Sequence, residues 1–199
     1  MRLKAPRIAP LTDSEITPEQ RAMLGERFKG EIYNIFRTLA RAPKAYKRFM
    51  GWGGYILSDY NDLSPRDREL VILRTGYNWK SGYEWAQHER IGLDCGLTAD
   101  EIERIKAGPD APGWSANDKA LLQATDELTA DAFITDPTWA ALSGFTEKQR
   151  MDLVMTVGQY TQVSMMLNSF GVPLDDDLTL DPDLAKQVLD KGVDKFPLP

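Results

Sequence analysis

The sequence predicts an all-α protein, and three observations predict it. Helix-start signals recur along the chain, proline and glycine stops follow them at helical lengths, and the period-2 alternation of a strand is nowhere sustained. Taken in order, Thr17-Pro18-Glu19-Gln20 is a capping box with proline at the first helical position and opens a helix over 18–28. A second helix over 31–42 stops at Pro43, and a third runs over 44–58. Ser64-Pro65-Arg66-Asp67, a close variant of the same box, opens 65–78. The next helix, 82–95, ends at Gly96. Thr98-Ala99-Asp100-Glu101 opens 99–107, which Gly108-Pro109 stops. Ser115 opens 116–132, and Asp136-Pro137 starts a short turn near 137–143. Thr146-Glu147-Lys148-Gln149 opens the last long helix, 147–170, closed by Gly171. That makes about eight helices, by signals that mark ends more than interiors.

The 199 residues fit one domain, or two small helical halves sharing a core, and 42% hydrophobic residues suffice to build it. We place a single all-α domain over 1–172 and an acidic tail over 173–199, with a short amphipathic helix around Leu184 to Leu189. The tail lies on the surface or clasps a neighbouring subunit. A net charge of −6, with no basic stripe, argues against nucleic acid, whose binding needs clustered Lys and Arg. No apolar run approaches the ~18 residues of a membrane span, and "MRLKAPRIAPLTDSE" lacks the apolar core of a signal peptide. The expectation is a soluble, cytoplasmic protein without a membrane partner. A single cysteine, Cys95, excludes an intramolecular disulfide and a CxxC redox pair.

At an offset of 82 residues, "LSPRDRELVILRTGYN" aligns with "FTEKQRMDLVMTVGQY", matching Arg68 with Arg150 and Gly76 with Gly158. Two identities in sixteen positions make a weak repeat. If it is real, Glu69, Ser81, Glu84 and His88 map to Met151, Val163, Met166 and Phe170. The first copy is then the working half and the second its packing partner.

The residues that could carry chemistry lie in two consecutive helices. At about 100° per residue, Ile72, Leu73 and Gly76 surround the direction of Glu69, so a carboxyl group sits inside an apolar stripe. Burial there is costly unless the group is paired, hydrogen-bonded or protonated. In the next helix, Glu84, His88, Ile91 and Cys95 share a face, with Trp85 and Gly92 flanking it; His88 is the sole histidine. Ionisable groups aimed inward from two neighbouring helices are the pattern of tuned proton transfer. Plainer readings stay open. Glu84 and His88 at i, i+4 also make a stabilising surface pair, Ser81 also serves as a helix N-cap, and Arg74 also suits a solvated flank. Trp79, Tyr83 and Trp85 are core aromatics or pocket walls. Glu69, Glu84 and His88 would supply a metal with one imidazole and two carboxylates, but without HxxxH or HxH spacing we assign no metal. Cys95 follows His88 by seven residues, too far for a direct hydrogen bond along one helix, and reads as a small buried residue.

The segment "RDRELVILRTGYNWKSGYEWAQHERIGLDCGLTADEIERI", Arg66 to Ile105, resembles the carboxymuconolactone decarboxylase family, which includes the alkylhydroperoxidase-like (AhpD-like) proteins. The family pattern is a Glu, twelve residues later the start of a Cys-x-x-Cys-x-x-x-His run, then a Gly-Leu-Thr-x-x-Glu-Ile helix start. Glu69 takes the glutamate place and His88 the histidine place, whereas Ser81 and Glu84 stand at the two cysteine places. With "YNIFRTLARAPKAYKRFMGWGGYIL" upstream, the resemblance spans roughly residues 30 to 172. Peroxide reduction needs an attacking thiolate and a resolving thiol. Both are missing, so the resemblance points to the decarboxylase branch and its compact helical fold.

It implies a carbon-carbon lyase acting on a lactone or ring carboxylic acid from aromatic-compound catabolism. The model reaction is loss of CO₂ from 4-carboxymuconolactone into a conjugated lactone that acts as electron sink, so neither an organic cofactor nor a metal is demanded. On this reading His88 and Glu84 transfer the proton and Glu69 orients its partner. Arg74 grips a substrate carboxylate, Tyr83 or protonated His88 stabilises charge, and Ser81 and Trp85 complete the binding site. The partners implied are a small organic acid and further copies of the chain in a homo-oligomer. Three other readings stay in view: a redox protein using Cys95 with an external thiol, a non-catalytic scaffold, and a metal-dependent family member.

Overall fold

A computed structural model of the chain describes residues 2–25 and 32–186. Ten helices and one 3₁₀ turn make up their regular structure, with no strand among them. They are α1 (Pro18–Gly25), α2 (Asn34–Leu39), α3 (Pro43–Ile56), α4 (Pro65–Asn78), α5 (Gly82–Asp94), α6 (Ala99–Ala107), α7 (Ala116–Asp131), α8 (Asp136–Ala141), the 3₁₀ turn Leu142–Gly144, α9 (Glu147–Phe170) and α10 (Pro182–Ala185).

The start signals act as their chemistry requires. Thr17 and Gln20 exchange backbone-to-side-chain bonds of 2.9 and 3.2 Å, and full boxes close at Thr98–Glu101, Ser115–Asp118 and Thr146–Gln149. At α4 the Ser64 hydroxyl accepts from the Asp67 N–H. Each bond satisfies a backbone donor that the helix itself leaves unpaired.

The differences from expectation lie at chain ends and prolines. The expected helix 18–28 is seen as far as Gly25, its last three positions falling outside the described residues. α2 is shorter than 31–42: residue 31 lies outside the described residues, Tyr33 is extended at ψ 148°, and at the far end Pro43 drives Ala42 out of the helical region, to φ −124° and ψ 75°, and itself opens α3. The turn near 137–143 is a two-turn unit, α8 with its 3₁₀ extension. The short helix expected around Leu184 begins earlier, at Pro182, where the Asp181 side chain caps the Asp183 and Leu184 N–H groups; its expected end beyond residue 186 lies outside the described residues.

α4 is the central helix. It packs against α5, α6, α7 and α9, so Leu70, Val71, Ile72 and Leu73 are all fully buried. A helix apolar on every side needs neighbours on every side. Four such side chains, each worth about 1.5–3 kcal/mol on burial, hold it in place. A main cluster gathers α4, Trp85, α6, α7 and the first half of α9. A second, with Ile56, Ile72, Tyr83, Tyr160, Val163 and Leu167, lies where α3, α4, α5 and α9 meet. The candidate site is built at this second junction.

Candidate active site

The turn from α4 to α5 sets the site. Lys80 N–H donates to the Tyr77 carbonyl and Ser81 N–H to the Gly76 carbonyl, the paired bonds of a Schellman motif. Lys80 occupies its left-handed position at φ 55°. The chain thus folds back at once, and α5 runs against α4. Close approach is possible because Gly76 has no side chain: a Cβ there would stand 3.1 Å from Glu84 Cγ.

At this contact Glu69 of α4 and Glu84 and His88 of α5 meet. Glu69 is 1% exposed, and its Oε2 lies 2.6 Å from His88 Nδ1. On the other side of the ring, His88 Nε2 lies 3.1 Å from Glu84 Oε1. The buried carboxyl of Glu69 is therefore partnered, as its burial requires. Burial pushes the imidazole towards its neutral form, but Glu69 and Glu84 outweigh it and raise the His88 pKa to about 10. The ring is then an imidazolium with a carboxyl group at each nitrogen. Tyr160 of α9 meets it edge-on, with centroids 5.0 Å apart and planes at 87°. Burial, and then Glu84 and Glu69, hold the Tyr160 hydroxyl well above its usual pKa, which keeps it a proton donor.

Glu84, His88 and Tyr160 line a cavity of about 420 Å³. α2 and α3 supply its apolar wall, including Phe36, Phe49, Met50 and Leu57, while α5 adds Tyr83, Gln87 and Ile91, and α9 adds Gln159 and Val163. None of its described lining residues is Lys or Arg. Glu69 stands behind His88, outside the lining. Two of these wall residues are fixed from behind by the chain after α9. Asp175 accepts from the Tyr83 hydroxyl at 2.5 Å, Gln87 Nε2 at 2.8 Å and the Asn34 N–H at 2.7 Å. Burial and this carboxylate raise the Tyr83 pKa. The described part of the tail thus clasps its own chain.

The structure brings Glu69, Glu84, His88 and Tyr83 together and puts the other proposed site residues elsewhere. Arg74 is not on the cavity wall: its guanidinium forms a two-pronged pair with Asp126 at 2.6 and 2.8 Å and caps the Ile105 and Lys106 carbonyls at the end of α6. Ser81 is fully buried at the N-cap position of α5, yet its hydroxyl makes no cap bond and has no hydrogen-bond partner. Trp85 lies in the main core beneath Lys106, away from the cavity. Trp79 donates its indole N–H to Thr161. Cys95 is the C-cap residue of α5 and lies off the cavity; burial and the nearby Glu69 push its thiol up. Among the described residues, no group of three or more His, Cys, Asp or Glu side chains is arranged to hold a metal ion, and no helix is long and apolar enough to cross a membrane.

Sequence reasoning missed Gln87, Gln159, Tyr160 and Asp175. Gln87 was within reach, since 84, 87, 88 and 91 follow the i, i+3, i+4, i+7 stripe of one helix face. The second copy of the weak repeat is also more than a packing partner, because α9 faces the cavity with Gln159, Tyr160 and Val163.

The model of the carboxymuconolactone decarboxylase family matches residues 43–127, from the start of α3 into α7. No curated protein matches the chain. Among solved structures, a peroxidase-related protein from Silicibacter sp. superposes with a TM-score of 0.75 at 15% identity, over 87% of this chain and 95% of that one. A peroxidase-related protein from Ralstonia eutropha, described as an alkylhydroperoxidase AhpD core, gives 0.72 at 18% identity over the same shares. A debrominase in complex with 2,3,4-tribromopyrrole gives 0.67 at 12% identity, over 93% of this chain and 97% of that one. At such identities the superpositions establish the fold, an AhpD-like all-α architecture. The Glu69–His88 pair lies inside the matched segment, so the part of the chain that carries the candidate site is similar to the carboxymuconolactone decarboxylase family.

Proposed function

We propose that the protein is a decarboxylase-like lyase acting on a lactone or ring carboxylic acid, with His88 and Glu84 in proton transfer. The observation that carries this reading is His88, held charged between Glu69 and Glu84 on the wall of an apolar, ring-sized cavity. Both ring nitrogens are taken by Glu69 and Glu84, so the Glu84–His88 pair acts as a proton-transfer unit beside the substrate and not as a free N–H donor to it. As the carbon–carboxylate bond breaks, its electron pair moves into the conjugated carbonyl, and CO₂ leaves. Charge developing on the carbonyl oxygen is met by the Tyr160 hydroxyl, a protonated donor on the largely apolar wall. A proton then passes to carbon from His88 or Glu84, and Glu69 keeps the ring oriented throughout. A lining without Lys or Arg suits a carboxylate that must be lost more than one that must be held, since its one cation, His88, is already paired with Glu69 and Glu84. A thiol mechanism has less support, because Cys95 is off the cavity and its thiol is pushed up.

The test is CO₂ release and ultraviolet loss of the lactone when purified protein meets 4-carboxymuconolactone and related ring acids. His88→Ala and Glu84→Gln serve as controls, checked for folding by circular dichroism. Turnover that falls by roughly 10²–10⁴ in both variants is expected for loss of acid–base catalysis. Turnover that survives His88→Ala would sink the proposal, and no CO₂ from any member of the panel would remove the lyase reading.

A further inference from the structure

Gln159 is left over by this mechanism. It is 3% exposed and lines the cavity one residue before Tyr160, yet its Oε1 has no hydrogen-bond partner. Its amide nitrogen lies against the bare backbone of α3, 3.5 Å from where a Cβ on Gly53 would be. Buried polar atoms are almost always hydrogen-bonded, so an orphan acceptor on a side chain that lines a cavity is a candidate for completion by a ligand. A carboxamide presents an acceptor beside two donors, so its natural complement is a group with an O–H or N–H next to an acceptor. The charge of that group follows from the rest of the wall. No described lining residue is Lys or Arg, and the one cation, His88, already has a carboxyl group at each nitrogen. An anion placed at Gln159 would find no spare positive charge, and an ammonium would lose its hydration against Phe36, Phe49 and Met50 and meet the imidazolium.

We infer that Gln159 is a specificity-determining residue that reads an uncharged donor–acceptor edge of a flat ring substrate, such as a hydroxyl or lactam N–H beside a carbonyl. The inference deepens the function proposed above, since it concerns the same cavity and names the edge of the substrate that stays bound while a carboxylate departs elsewhere.

The experiment is calorimetric or fluorescence binding to the full chain, which needs no turnover. The probes share a two-ring frame: quinolin-2-one with a neutral N–H and C=O edge, naphthalene with none, 2-naphthoate with an anion, and 2-naphthylmethylammonium with a cation. Quinolin-2-one is expected to bind wild type at least tenfold more tightly than the other three. In Gln159→Leu its affinity should fall at least tenfold while naphthalene binds as well as before, which shows an intact cavity. Gln159→Glu, of the same shape, should also lose quinolin-2-one. Equal quinolin-2-one affinity in Gln159→Leu, tighter binding of either charged probe, or no binding of quinolin-2-one to wild type would each overturn the inference. A failed lyase assay with this binding pattern intact would count against the reaction and leave the recognition standing.

Discussion

His88 shows how residues four apart acquire chemistry from a third that is distant in sequence. Its pairing with Glu84 is set by helix geometry, but its charge depends on Glu69, nineteen positions earlier, at 2.6 Å. A folded-state pKa near 10 against an ordinary value of 6.5 means that the folded protein holds a proton which the unfolded chain releases between those limits. Stability from this group is therefore complete below about pH 6.5 and is lost as pH rises through about 10. Thermal unfolding from pH 6 to 10.5 should show wild-type stability declining over that window, and His88→Gln should lack this component. Imidazole NMR shifts should stay those of the charged ring through neutral pH; titration near 6.5 would refute the assignment. Glu84, His88 and Glu69 were legible because each is an ionisable group on a stripe otherwise apolar. Arg74 shows the limit of that reasoning, since its partner Asp126 belongs to another helix.

At the scale of elements, the α4–α5 turn fixes the register in which the two carboxyl groups meet the ring. Its left-handed position is filled by Lys80 at φ 55°, where a side chain costs roughly 1–2 kcal/mol relative to glycine's freedom. Lys80→Gly keeps both Schellman bonds and removes that strain, while the unfolded chain gains entropy worth about 0.5–1 kcal/mol. A net stabilisation of up to about 1 kcal/mol is expected in urea unfolding, without change in the denaturant slope. Helix starts were readable here because a capping box is a local hydrogen-bond pattern spanning four residues. α9 was readable as a helix and opaque as a cavity wall: its buried side mixes Leu153, Val157, Tyr160, Val163 and Leu167 with the polar Asp152, Thr156, Gln159 and Ser164, and a stripe of that kind does not say which helices will cover it.

For the molecule as a whole, Asp175 ties the segment after α9 to the start of α2 and to α5. Asp175→Ala leaves the Asn34 N–H, the Tyr83 hydroxyl and the Gln87 amide without their acceptor, and unsatisfied buried groups cost about 1–3 kcal/mol each. Water entering the gap reduces the sum, so a loss of about 3 kcal/mol is expected by denaturant titration. Faster amide exchange should accompany it in α2 and the first turns of α5. Unchanged exchange there would show that the tail holds nothing.

The helical class, nearly every helix start and the Glu69, Glu84 and His88 trio follow from the residues alone, because caps, stops and wheel positions are properties of one short stretch of chain. The choice of cavity wall, the retirement of Arg74 and Trp85 to structural duty and the arrival of Gln159, Tyr160 and Asp175 came from packing. Those roles are set by contacts between residues dozens of positions apart, and no local pattern encodes which faces of separate helices will meet.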